Sequence, residues 1–181
     1  MNICVFGAAR DELDPGFFAL GEALGEALAR RGHRMIFGGG AHGLMGAAAR
    51  GCARQGGEIV AVAPRFFDEP GVLWDDCAEF VFTETLSERK EIMIARTDAF
   101  LARPGGLGTF DELFEVLTQR SLGRHGKPIA LLDHDGYFAP VTELIRLAVE
   151  RGFAAARTAE LYGVFTDPEE CLAYLEKEAG Q

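Results

Sequence analysis

Short apolar runs alternate with amphipathic stretches along the whole chain, and that alternation predicts an α/β fold, a parallel sheet with helices on both faces. Two further observations support it. The run Ala99-Phe100-Leu101-Ala102 is apolar without a break and reads as a buried strand. Glycine clusters follow two of the runs directly, at 38–43 and 105–108, where strands of an open sheet pass into helices. Ligands of such sheets bind in turns of that kind, at the carboxyl ends of strands.

Taken in order, Ile3-Cys4-Val5-Phe6 is the first strand, ended by Gly7. Asp14-Pro15 supplies a cap and a first helical residue, and the helix runs through Phe18, Leu20, Leu24 and Leu28 to a stop at Gly32. Met35-Ile36-Phe37 is the second strand, followed by the first glycine cluster and a small-residue helix over 44–55. The third strand spans 59–63 and closes at Pro64; 65–76 reads as a loop, and Phe80-Val81-Phe82 as the fourth strand. Thr85 and Ser87 start a helix carrying Arg89, Lys90, Ile92, Met93 and Arg96. After the fifth strand and the second cluster, a helix reaches Leu122 and stops at Gly123. Residues 128–132 form the sixth strand, 138–151 a helix and 161–165 an edge strand; Asp167-Pro168-Glu169-Glu170 opens the last helix. No linker, repeat or low-complexity tract interrupts the pattern, so residues 1–181 are expected to form one domain.

A net charge of −10 argues against nucleic-acid or anionic-membrane binding, which needs a basic face. Any phosphate site must therefore be built from local cations and helix termini. Cys4, Cys52, Cys77 and Cys171 have neither paired nor zinc-like spacing and are expected to be reduced thiols of a cytoplasmic protein. No signal peptide is expected, since Asn2 already opens an apolar strand, and no apolar run is long enough to span a bilayer. His33, His42, His125 and His134 are scattered, so no metal site is expected.

The richest chemistry lies in Pro104-Gly105-Gly106-Leu107-Gly108-Thr109-Phe110-Asp111-Glu112. Backbone N–H groups at a helix start attract anions, and glycines let the ligand come close. Glu112 allows two readings: a carboxylate beside the bound anion, or the far member of a capping box that reaches back to the Thr109 N–H. Thr85-Leu86-Ser87-Glu88 offers a second capping box. Arg89 and Lys90 lie just past that helix start and oppose its dipole; Arg89 either meets a ligand or Glu112, or forms an ordinary surface ion pair, and Arg96 shares its face. The stretch 38–43 fits GxGxxG, but the next strand ends in Pro64-Arg65 without the acid a dinucleotide ribose requires, which disfavours a nicotinamide cofactor. A second phosphate or ribose loop is the better reading, with His42 as a polar lining residue and Leu44-Met45 as core packing.

Together these stretches resemble the Lonely Guy family, the cytokinin riboside 5′-monophosphate phosphoribohydrolases, often labelled lysine decarboxylases. The family's PGGxGTxxE signature stands at 104–112 with Glu115 one turn on, GGGxxGLMG stands at 38–46, and ERK at 88–90. The resemblance implies a Rossmann-like fold and a homodimer with sites near the subunit interface. It implies hydrolysis of the N-glycosidic bond of adenosine-type or cytokinin riboside 5′-monophosphates to free base and ribose 5-phosphate, with no cofactor. By that likeness Arg89 and Glu112 are the catalytic pair, and Gly105, Gly106, Gly108 and Thr109 hold the phosphate. Gly39, Gly40, Gly43, Met45 and Lys90, from the matching stretches, are expected to complete the substrate contacts. The decarboxylase label lacks a convincing pyridoxal-phosphate lysine. The chain departs from the family's pattern at Gly7-Ala8-Ala9-Arg10, usually rich in serine, at Leu86-Ser87, at 119–123 and at Arg103, where the family is usually apolar. The competing expectation is a non-catalytic carrier of a nucleotide or a molybdenum cofactor, which has no need of both Arg89 and Glu112.

Overall fold

The computed structural model describes residues 1–180. Its strands are β1 (Asn2–Phe6), β2 (Arg34–Phe37), β3 (Ile59–Pro64), β4 (Glu79–Thr83), β5 (Ala99–Ala102), β6 (Ile129–Leu132) and β7 (Gly163–Phe165). The α-helices are α1 (Pro15–Arg30), α2 (Gly43–Arg54), α3 (Leu86–Arg96), α4 (Leu107–Ser121), α5 (Ala139–Glu150) and α6 (Pro168–Ala179). All strands lie parallel in one sheet, in the order β4-β3-β2-β1-β5-β6-β7. This is the expected α/β, Rossmann-like class. The chain winds outward from β1 to β4, returns to the centre, and winds the other way from β5 to β7. The order reverses between β1 and β5, so the loops leaving their carboxyl ends part and open a crevice.

Alternate residues of each strand feed two cores. Ile3 and Val5 face α1, α2 and α6, where they meet Leu24, Leu28, Cys52 and Leu172. Cys4 and Phe6 face the other layer, with Met93, Leu113, Val116 and Ile145. Both sides of the sheet are thus covered, which is why its strands read as continuous apolar runs. The caps predicted from sequence form. The Asp14 carboxylate accepts the Gly16 N–H at 2.8 Å, and Asp167 accepts those of Glu169 and Glu170 at 2.8 and 3.0 Å. Helices α1 and α2 cross at contact distance because the crossing is made of glycine: a Cβ on Gly25 would stand 2.0 Å from the Ala48 carbonyl oxygen.

Three local expectations change. Helix α4 begins at Leu107, ahead of Thr109, with Gly106 as its cap residue. The last strand is shorter than 161–165, covering Gly163–Phe165 beside β6. The stretch 65–76 is more than a loop. It opens with a one-turn 3-10 helix, Arg65–Phe67, and is stitched to the glycine turn after β2. The Ala41 N–H donates to Val72 O at 3.0 Å, and the Trp74 N–H donates to Gly39 O at 2.8 Å. Among the described residues no helix is long and apolar enough to cross a membrane.

Candidate active site

A cleft of about 600 Å³ opens at the carboxyl ends of β1, β2 and β5, at the point where the strand order reverses. Its floor is formed by the turn after β1, Gly38 and Gly40 after β2, and Pro104, Gly105 and Gly106 after β5. The first turn of α4 closes one side with Gly108, Thr109 and Glu112. Leu13, Phe17, Met45, Phe67, Val72 and Leu73 form an apolar wall, and Arg10, His42, Arg89 and Tyr137 add polar groups to it.

The start of α4 is built to face an anion. No side chain caps it, so its first N–H groups have no partner within the helix. The turn before it is held from behind: the Tyr137 hydroxyl donates to Gly105 O at 2.5 Å, and the Ala8 N–H donates to Pro104 O at 3.1 Å. A Cβ on Gly105 would lie 2.1 Å from Thr109 Oγ1 and 3.0 Å from the Ala8 nitrogen, so only glycine fits there. The start of α2 is different. Its Leu44 N–H donates to Ala8 O at 2.8 Å, and its Gly43 N–H to Asp11 Oδ1 at 2.7 Å. Those donors are already used by the protein.

Glu112 stands one helical turn into α4, inside the cleft and nearly buried. Because α4 begins at Leu107, Glu112 lies beyond the first turn, and the capping box suggested by its spacing from Thr109 does not form. Its Oε1 instead accepts from Arg89 Nη2 at 2.5 Å, while Arg89 Nε donates to Val62 O at 3.2 Å. Gly38 makes room for that guanidinium: a Cβ there would stand 2.2 Å from Arg89 Nη2. Burial pushes the Glu112 carboxyl above its ordinary range, against the opposing pull of Arg89. A carboxylate and a guanidinium are therefore held together beside a row of free amide donors.

The predicted residues do not all gather here. Gly40, Met45, Arg89, Gly105, Gly106, Gly108, Thr109 and Glu112 line the cleft. Lys90 does not: it bridges Asp111 at 2.8 Å and Glu115 at 2.6 Å. Arg89 and Lys90 both reach α4 but meet different carboxylates there. Gly39 and Gly43 also stay outside the lining. Gly39, at φ 81°, gives its carbonyl to Trp74, and Gly43, at φ 60°, lets α2 start against Ala9, where a Cβ would come within 2.5 Å. Arg96 turns to Glu79 at 2.5 Å, away from the cleft. The second capping box is half formed. Thr85 Oγ1 accepts the Glu88 N–H at 3.1 Å, but Glu88 reaches past Thr85 to the Glu84 N–H at 2.9 Å.

Sequence reasoning missed Tyr137, Asp11 and the apolar wall. Tyr137 carries no local signal, since it reaches the turn from the far side of β6. Asp11 accepts from His42 Nδ1 at 2.8 Å, and His42 Nε2 meets Gly71 O at 2.8 Å, so His42 ties three loops together at the rim.

Residues 45–175 match the family model described as "Possible lysine decarboxylase". The chain is 34% identical over 178 residues to a probable cytokinin riboside 5′-monophosphate phosphoribohydrolase of Oryza sativa subsp. japonica, covering 98% of this chain and 77% of that one. It is 35% identical over 173 residues to the cytokinin riboside 5′-monophosphate phosphoribohydrolase of Rhodococcoides fascians, covering 95% and 87%. Among solved structures, the molybdenum cofactor binding protein of Rippkaea orientalis superposes with a TM-score of 0.76 at 22% identity, over 97% of this chain and 95% of that one. The molybdenum cofactor carrier protein of Chlamydomonas reinhardtii gives 0.75 at 22% identity, over 99% and 98%. These two likenesses carry the fold.

Proposed function

This chain belongs to the family of cytokinin riboside 5′-monophosphate phosphoribohydrolases, and on that premise we propose that it hydrolyses the N-glycosidic bond of adenosine-type or cytokinin riboside 5′-monophosphates. The products are free base and ribose 5-phosphate. The observation that carries this reading is the Arg89–Glu112 contact at 2.5 Å, one turn from the uncapped start of α4 and inside the same cleft.

The substrate phosphate lies against Gly105, Gly106, Gly108 and Thr109, where helix N–H groups and the α4 dipole favour negative charge. That anchor supplies binding energy remote from the bond that breaks. Breaking the ribosyl C–N bond builds positive charge on the sugar, as in other glycosidic cleavages with oxocarbenium-like transition states. The Glu112 carboxylate stabilises that charge and takes a proton from the attacking water as its oxygen bonds the sugar carbon, while the departing base keeps the C–N electron pair and takes up a proton from solvent. Arg89 orients Glu112 and opposes the burial that raises its carboxyl. Gly40 and Met45 lie beside the sugar, and the apolar wall receives the base.

The protein acts as a cytoplasmic homodimer in this reading. Its apolar surface residues Leu107 and Phe114 on α4 and Leu122 just past its end, with Leu144 and Leu147 on α5, support association of two copies. The test is incubation of the purified protein with a panel of nucleoside monophosphates, AMP included, and chromatography for free base. Release of adenine or an N6-substituted adenine, lost in Glu112→Gln, is the expected result. Tight nucleotide binding with no base released from any member would make the protein a carrier and end the hydrolase reading.

A further inference from the structure

Arg103 heads the fully buried side chains by volume, and it comes immediately before the turn Pro104-Gly105-Gly106. Its Nη2 donates to the Leu44 carbonyl in the first turn of α2, while Nε and Nη1 have no partner. No charged neighbour perturbs it; burial alone lowers it to about 9, so it stays a cation at neutral pH. An unpaired buried charge is costly, and a chain of net charge −10 has carboxylates enough to answer it. None stands there. The fold instead clears space for the guanidinium: a Cβ on Gly21 would come 2.5 Å from Nη1, and one on Gly7 would come 3.1 Å from Nη2.

Gly7 is part of the cleft floor, so the guanidinium lies one backbone thickness beneath it. The two cations that line the cleft are already matched, Arg89 by Glu112 and Arg10 by Glu12. We propose that Arg103 is a positioning cation for the cleft, an unanswered positive charge under its floor whose counter-charge is the phosphate monoester of the bound ligand. The inference rests on reading the start of α4 as a phosphate site. It assigns a role to a residue at which this chain departs from its family's pattern. Arg103 touches no ligand; it acts through the thickness of one glycine, where charge is screened far less than in water.

The test uses the full chain and calorimetric titration with inorganic phosphate, ribose 5-phosphate and uncharged adenosine. Arg103→Met is expected to weaken both phosphate ligands by at least about tenfold, the effect of one charge at about 12 Å with an effective dielectric of about 20 and a lower bound for a closer one. Adenosine binding stays unchanged, the melting temperature rises because a buried charge is gone, and Arg103→Lys restores phosphate affinity. A merely structural role moves a different readout: phosphate and adenosine affinity fall together, or phosphate affinity does not move, and either result overturns the inference. Should Arg103→Met not fold, Arg103→Gln against Arg103→Lys makes the same neutral-to-charged comparison. Wild-type turnover of AMP is followed in parallel. If no base is released while phosphate still binds more weakly to the neutral variant, the hydrolase reading fails and the role of Arg103 stands.

Discussion

Glu112 sits nearly buried against Arg89, and its replacement by glutamine isolates its charge from its shape. The amide still accepts from Arg89, and no helix cap is lost because α4 starts at Leu107. Glu112→Gln is therefore expected to fold normally by circular dichroism and to lower kcat by about 10²–10⁴-fold in a base-release assay. The pH dependence follows from the same carboxyl. Burial raises it, so on acidification it takes up its proton earlier than an exposed glutamate. Activity that needs the carboxylate then falls as pH drops, and the acidic limb of kcat/KM is expected above the ordinary glutamate range and absent from what remains of Glu112→Gln. Gly105 gives a second test at this scale. The methyl of Gly105→Ala meets Thr109 and the Ala8 backbone, so the turn must shift. KM for the phosphorylated substrate is expected to rise about tenfold or more while inhibition by free adenine is unchanged, in line with the loss of one or two charge-assisted hydrogen bonds.

At the scale of elements, the site depends on helices whose starts are held differently. Asp14 and Asp167 cap α1 and α6, whereas the start of α4 carries no such side chain. An N-cap contributes about 1 kcal/mol, so its omission at α4 leaves stability unclaimed in favour of free donors. The α1–α2 pair shows what close packing demands. Gly25→Ala would press a methyl into the Ala48 carbonyl, and urea unfolding is expected to reveal a loss of about 1–3 kcal/mol. The same crossing holds α2 against Ala8 through Leu44, so this variant is also expected to weaken phosphate binding.

For the whole molecule, the sheet order β4-β3-β2-β1-β5-β6-β7 is what brings the turns after β1, β2 and β5 to one cleft. The acidic chain repels anions at long range, so the proposed phosphate site relies on local dipoles and cations within a Debye length, about 8–10 Å at physiological salt. Two copies joined through the apolar residues of α4 and α5 would scatter light with twice the chain mass. Phe114→Glu, which sets a charge among those residues, is expected to halve it. A wild-type mass of one chain at micromolar concentration would end the dimer proposal.

What the sequence determined by itself was local: which stretches are strands, where Asp14 and Asp167 begin helices, and that glycine turns follow β2 and β5. Such features rest on periodicity and turn chemistry within a few residues, so they are legible before any fold is known. Glu112 marks the limit of that reading, because its spacing from Thr109 favoured a cap slightly over a catalyst. Only the tertiary structure, by starting α4 at Leu107 and bringing Arg89 across from α3, removed the cap and gave the carboxylate a guanidinium partner. It alone paired Lys90 with Asp111 and Glu115 of α4, brought Tyr137 behind the Gly105 turn, and buried Arg103 beneath Gly7. Each of these depends on the order in which strands lie side by side, and that order joins residues too far apart in the chain for any local pattern to record.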